Sequence, residues 1–175
     1  MARTRASSPS LDPMDGLAFL LSQVGAHAAA RFAERLVPLE LAPPHAGILK
    51  VIKRADGLSQ QALGEKLGVF PSRLVALLDD LEKRGLVERR DSPTDRRSYA
   101  LYLTDAGRDA LEKLDRTARE HQDALCAALD ESERAQLADY LARIAAQQQL
   151  TPGVHPGFRK LDRPEGRRGG SPGPC

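Results

Sequence analysis

Arginines stand at Arg73, Arg89, Arg90, Arg96 and Arg97, set among the punctuation of two short helices and a hairpin. A guanidinium keeps its charge at any physiological pH and presents five donors in a planar fork. It can therefore bond guanine O6 and N7 together, enter a narrow minor groove, or clasp a phosphate. The most informative stretch is Asp95 to Gly107, D-R-R-S-Y-A-L-Y-L-T-D-A-G. It joins an arginine-tipped turn, a strand with alternating apolar residues and a capped helix start. A helix–turn–helix followed by such a hairpin places one element in a major groove and another on the neighbouring backbone or minor groove.

The elements that must position these arginines follow from periodicity. From Asp12 the residues Leu17, Leu20, Leu21, Val24, Ala28, Phe32 and Leu36 recur at helical spacing, and Pro38 ends the run. Pro43 and Pro44 open a second helix with a stripe of Ile48, Leu49 and Ile52, closed by Asp56-Gly57. Ser59 is an N-cap for a short helix from Gln60 to Leu67, ended by Gly68. Pro71 starts the next helix, which buries Leu74, Leu77, Leu78 and Leu81 and stops before Gly85. Two strands are expected at about Leu86–Arg90 and Ser98–Leu103, joined by the polar hairpin Asp91–Arg97, with Tyr99, Leu101 and Leu103 on one face. Thr104 caps a long helix with Leu111, Leu114, Ala118, Leu125 and Leu129 on one stripe. Asp130 and Glu133 form a capping box for a last helix bearing Leu137, Leu141 and Ile144.

Composition fits this reading and narrows the chemistry. Apolar content of 41%, charged content of 29% and only 4% aromatics favour helices over a sandwich or barrel. Residues 50–97 hold eleven Lys/Arg against eight Asp/Glu, whereas residues 104–150 hold six against ten. A basic middle beside an acidic flank suits a nucleic-acid face on a non-binding body. No apolar run is long enough to span a membrane and no secretory h-region follows Arg3 and Arg5, so a cytoplasmic protein is expected. Residues 1–11 are expected to be a flexible tail. Residues 151–175, with five Pro and six Gly, are expected to be a disordered tail.

The segments S-Q-Q-A-L-G-E-K-L-G-V (Ser59–Val69), L-L-D-D-L-E-K-R-G-L-V-E-R-R (Leu77–Arg90) and D-S-P-T-D-R-R-S-Y-A-L-Y-L-T-D-A-G (Asp91–Gly107) resemble the MarR family of bacterial regulators. The resemblance covers about residues 12–150. It implies a mainly α fold with a small β-wing: a winged helix–turn–helix at about 44–103, with dimerisation helices at about 12–37 and 104–150. It further implies a homodimer on a pseudo-palindromic double-stranded DNA operator, most often as a repressor, and control by a small molecule or oxidant. Two recognition helices on one DNA face would lie about 34–36 Å apart.

By that resemblance Pro71–Lys83 is the recognition helix, and Asp95 braces the wing while Arg97 enters the minor groove. With the leucines buried, the start of the helix exposes Phe70, Ser72, Arg73, Val75 and Ala76. Arg73 is the candidate for a base edge or a phosphate, and Val75 and Ala76 for thymine methyl groups. Polar residues are usual in the family at 75 and 76, and Ser or Asp before the proline, so Phe70 is a weak cap. Ser59, Gln60 and Pro71 complete the expected DNA face. Arg89, Arg90 and Arg96 are expected on phosphates. The family's ligand site maps near His27, Arg31 and His45, although residues of this kind are more often ordinary surface or hydrogen-bonded side chains than ligand contacts.

Other chemistry is thin. His27, His45, His121, His155 and Cys126 show no paired spacing for a metal, and no cofactor is expected. Cys126 reads as a small buried apolar residue, with an oxidation sensor as the alternative. Asp79 and Asp80 are adjacent on a helix and point apart, unlike an acid–base pair. No phosphate-binding glycine loop or nucleophile motif is present, so an enzyme is not expected. The remaining alternative is a winged-helix module for protein contact that has lost DNA binding.

Overall fold

The computed structural model describes residues 16–91, 99–155 and Phe158. Helix α1 spans Leu17–Leu36 and passes into a short 3-10 turn, Val37–Leu39, at Pro38. Helix α2, Pro43–Arg54, opens on the proline pair; the Ala42 N–H donates to Nδ1 of His45 at 3.2 Å. Strand β1, Leu58–Ser59, leads into α3, Gln60–Leu67, whose N-cap Ser59 accepts from the Ala62 N–H at 3.1 Å. Gly68 ends α3 at φ +64°, a conformation costly for residues with a Cβ. Then come α4, Pro71–Lys83, and the strands β2, Val87–Asp91, and β3, Tyr99–Leu103. Helices α5, Asp105–Leu125, and α6, Glu131–Gln147, complete the order.

The three strands form one antiparallel sheet in the order β1-β3-β2, with Val87 opposite Leu103, Asp91 opposite Tyr99 and Leu58 opposite Leu101. The two-residue β1 is absent from the periodicity, because two residues cannot display alternation. The expected alternation of β3 holds only in part. Leu101 and Leu103 are buried, but Tyr99 is exposed and Ala100 is buried on the central strand.

The sheet and α2–α5 enclose one core that includes Ile48, Leu49, Leu63, Leu78, Leu81, Leu101, Leu111 and Leu114. The L-T-D-A-G motif has a physical cause here. Thr104 Oγ1 caps α5 by accepting from the Gly107 N–H and donates to the Gly85 carbonyl. A Cβ on Gly107 would lie 1.9 Å from the Leu86 carbonyl oxygen, so only glycine lets α5 start this close to the strand.

Two expectations are corrected. The stripe through Leu129 suggested a longer helix, but α5 ends at Leu125 with Cys126 as its C-cap. Arg134 Nε donates to the carbonyls of Cys126 and Leu129, fixing the turn into α6, and the Asp130–Glu133 capping box starts the new helix. The expected disordered tail starting at 151 is contradicted for the part described. Val154 packs on the core, and Phe158 is 6% exposed against α2. A single aromatic anchor offsets the poor composition, because Gly47 leaves room for its ring: a Cβ there would meet Phe158 at 2.5 Å.

Candidate nucleic-acid interface

Helix α4 follows its hydrophobic pattern: Leu74, Leu77, Leu78 and Leu81 are buried, while Ser72, Arg73, Val75, Ala76 and Asp79 face solvent. Positions 72, 75, 76, 79 and 83 recur at three- and four-residue steps, so they form one exposed ridge. Pro71 occupies the first turn, where its missing N–H is tolerated. Phe70 gives no side-chain cap; instead its carbonyl accepts from the N–H groups of Arg73 and Leu74 at 3.1 and 3.0 Å. Its ring is 62% exposed. Beside it a groove of about 650 Å³ separates α3 from α4, lined by Gln60, Gln61, Gly64, Val69, Phe70 and Pro71 among others. Ser59 and Gln60 are half-buried at the start of α3, with the Ser59 hydroxyl engaged in its cap.

The two arginines of β2 part company, as alternation along a strand requires. Arg90 is exposed, pairs with Glu88 and lies 4.6 Å from the centre of the Tyr102 ring. Arg89 turns inward, with only 16% of its side chain exposed. Its Nη2 is 2.6 Å from Asp79 Oδ1 and its Nη1 pairs with Glu82 Oε2. The charge of Arg89 is thus given to helix α4 instead of to solvent. The sequence shows two adjacent arginines; only the register of β2 against α4 separates their roles. Asp95, Arg96 and Arg97 lie outside the described residues.

Asp79 and Asp80 do point apart. Asp80 Oδ2 lies 3.3 Å from His45 Nε2 and 2.9 Å from Arg84 Nη2, while Arg84 also donates to the Glu40 carbonyl. His45 is buried, with its pKa lowered first by desolvation, then raised by Asp80 and lowered by Arg84. Because Nδ1 accepts from Ala42, the neutral ring carries its proton on Nε2 and donates toward Asp80. This network ties the start of α2 to the end of α4, and nothing in the sequence pattern pointed to it.

His27 and Arg31 lie elsewhere, exposed on α1, with Arg31 paired to Glu34. They face His121 of α5, whose ring lies tilted against Phe32 with centroids 5.4 Å apart; burial, then Arg35, Arg31 and His27, lower the His121 pKa. The structure therefore splits the three expected ligand residues, giving His45 to the helix network and setting His121 beside the other two. Cys126 is a half-buried free thiol at the end of α5, where a small buried apolar residue was expected. Among the described residues no cluster of His, Cys, Asp or Glu is placed to hold a metal, and no helix is long and apolar enough to cross a membrane.

Comparison with known proteins agrees with this geometry. The MarR family profile matches residues 39–98. A Thauera aromatica protein named for transcriptional regulation of the hcr operon is 35% identical over 137 residues, covering 78% of this chain and 82% of that one. Among solved structures, the transcriptional repressor CouR bound to a 23-mer DNA duplex is 33% identical, with a TM-score of 0.68 over 78% of this chain and 99% of that one. A mutant MarR from E. coli complexed with operator DNA is 25% identical, with a TM-score of 0.65 over 77% and 99%. With a helix–turn–helix, a winged sheet and relatives of this length, the chain belongs to the MarR family of winged helix–turn–helix transcriptional regulators.

Proposed function

We propose that this regulator is a cytoplasmic homodimeric repressor that binds a pseudo-palindromic operator and is released from it by a small molecule. The observation that carries the reading is the solvent-facing start of α4. Arg73 stands there without an ion pair among the described residues, flanked by Ser72, Val75 and Ala76. Arg73 bonds a guanine edge or a phosphate, Val75 and Ala76 pack on thymine methyls, and the wing residues Arg96 and Arg97 meet backbone and minor groove.

The dimer follows from the ends of the chain. Leu17, Leu20, Leu21 and Val24 of α1, and Leu137, Tyr140, Leu141 and Ile144 of α6, are exposed in the single chain. An apolar surface of this extent calls for a partner, and the same face on a second subunit supplies it under two-fold symmetry. The effector would act at the α1–α5 seam near His27, Arg31 and His121, by favouring a dimer whose α4 helices are wrongly spaced for DNA.

Fluorescence anisotropy on DNA from upstream of the protein's own gene, at several salt concentrations, tests the reading. Binding should weaken steeply with salt, and Arg73→Ala should cost about 1–3 kcal/mol while the dimer stays intact. Absence of salt-dependent binding on any such DNA rejects it. In its place would stand a protein-contact module, which the exposed Phe70 and Val75 beside the α3–α4 groove favour.

A further inference from the structure

Helix α4 carries a feature that a polyanion-binding element should avoid. Asp79 sits on its exposed ridge after Ser72, Val75 and Ala76, and Glu82 lies one turn on. The side chains of Asp79 and Glu82 are 58% and 41% exposed, whereas that of Arg89 lies beneath them. Each arm of the Arg89 guanidinium meets one carboxylate, and the Arg89 N–H points at Glu82 Oε1 at 3.4 Å. Two carboxylates facing phosphates repel them, and like-charge approach is costly once water is squeezed out. Removing Arg89 would leave the cluster with twice its present net negative charge.

We propose that Arg89 is a positioning residue for DNA binding: it masks Asp79 and Glu82 so that the recognition helix can approach phosphate. This rests on the reading above that α4 enters DNA. It also departs from the expectation that Arg89 touches phosphate itself. The pairing ties β2 to α4, so the mask doubles as a brace between wing and recognition helix.

The experiment is a rescue cycle on the full chain, read by anisotropy on operator DNA over a range of salt. Arg89→Met should weaken binding roughly tenfold at low salt. Adding Asp79→Asn and Glu82→Gln to Arg89→Met should restore the affinity of the unaltered protein or exceed it. Asp79→Asn with Glu82→Gln, Arg89 being kept, should bind more tightly than the unaltered protein. That last variant keeps the test decisive even if Arg89→Met fails to fold. A direct phosphate contact predicts the opposite pattern: no rescue, and a log–log salt slope reduced by about one. No rescue, or no gain from the double carboxamide, overturns the proposal. If the unaltered chain shows no salt-dependent binding at all, the DNA-binding reading itself fails, which is a separate result.

Discussion

The DNA-binding lobe and the terminal arms are built from the same leucine periodicity and end in opposite states. In α4, Leu78 and Leu81 are 0% exposed, whereas Leu17 in α1 is 65% exposed and Leu141 in α6 is 40%. Both stripes recur at three and four residues, so the pattern states that a face will be covered without stating by what. In the lobe, α2, α3, α5 and the sheet supply the cover. In the arms, α1 and α6 line a groove of about 550 Å³ between Leu17, Leu21, Leu137, Tyr140, Leu141 and Ile144. Helix α1 crosses between the regimes, since Phe32 and Leu36 pack on the core while its start does not. One helix thus links a finished core to an unfinished surface.

The sharpest way to break this contrast is truncation in each region. Leu78→Ala leaves a cavity with no slack around it and should cost about 2–5 kcal/mol in urea unfolding, with DNA binding lost in proportion to the unfolded fraction. Leu137→Asp with Leu141→Asp should leave the lobe folded, shift sedimentation to the monomer, and remove the dependence of the unfolding midpoint on protein concentration. If the arm variant unfolded the lobe, or stayed dimeric, the division into closed core and open face would be wrong.

Phe158 joins the two regions, because the segment after α6 returns to α2 in the lobe. Phe158→Ala should cost about 3 kcal/mol, the low end for truncating a buried Phe. Gly47→Ala should also destabilise, since its Cβ would collide with the ring, even though alanine favours a helix by about 1 kcal/mol. In the Phe158→Ala background the same Gly47→Ala change should become stabilising. A sign reversal measured by unfolding establishes the anchor, and the same sign in both backgrounds removes it.

Legibility in the sequence followed the range of the forces involved. Local signals were readable to the residue: Ser59, Gly68, Pro71 and the Asp130–Glu133 box bound their helices as capping physics dictates. The exposed ridge of α4 was readable too, because it is the complement of a buried leucine stripe. Non-local features were not. β1 exists only by pairing with β3, the inward turn of Arg89 depends on the register of β2 against α4, and the His45–Asp80–Arg84 network joins residues far apart in the chain. Phe158 was hidden for a related reason. Composition over a window averages away one aromatic anchor whose niche is a glycine about a hundred residues earlier.

The smallest effect expected is a pH dependence of the lobe set by His45. His45 is held neutral: burial is the largest cause, Arg84 adds to it and Asp80 opposes it. Its folded pKa therefore lies below the unfolded value of about 6.5, and between the two the unfolded chain binds more protons. Stability should then be full above about pH 6.5, fall as pH drops through that value, and level off below the folded pKa. The structural cause is local, since a proton on Nδ1 would face the Ala42 N–H it now accepts from and loosen the start of α2. His121 is lowered in the same direction, so the comparison is made in a His121→Gln background. There, His45→Asn, whose carbonyl can accept in place of Nδ1, should flatten the dependence between about pH 7.5 and 5.5. An unchanged slope would mean that the seal between α2 and α4 does not depend on the charge of this ring.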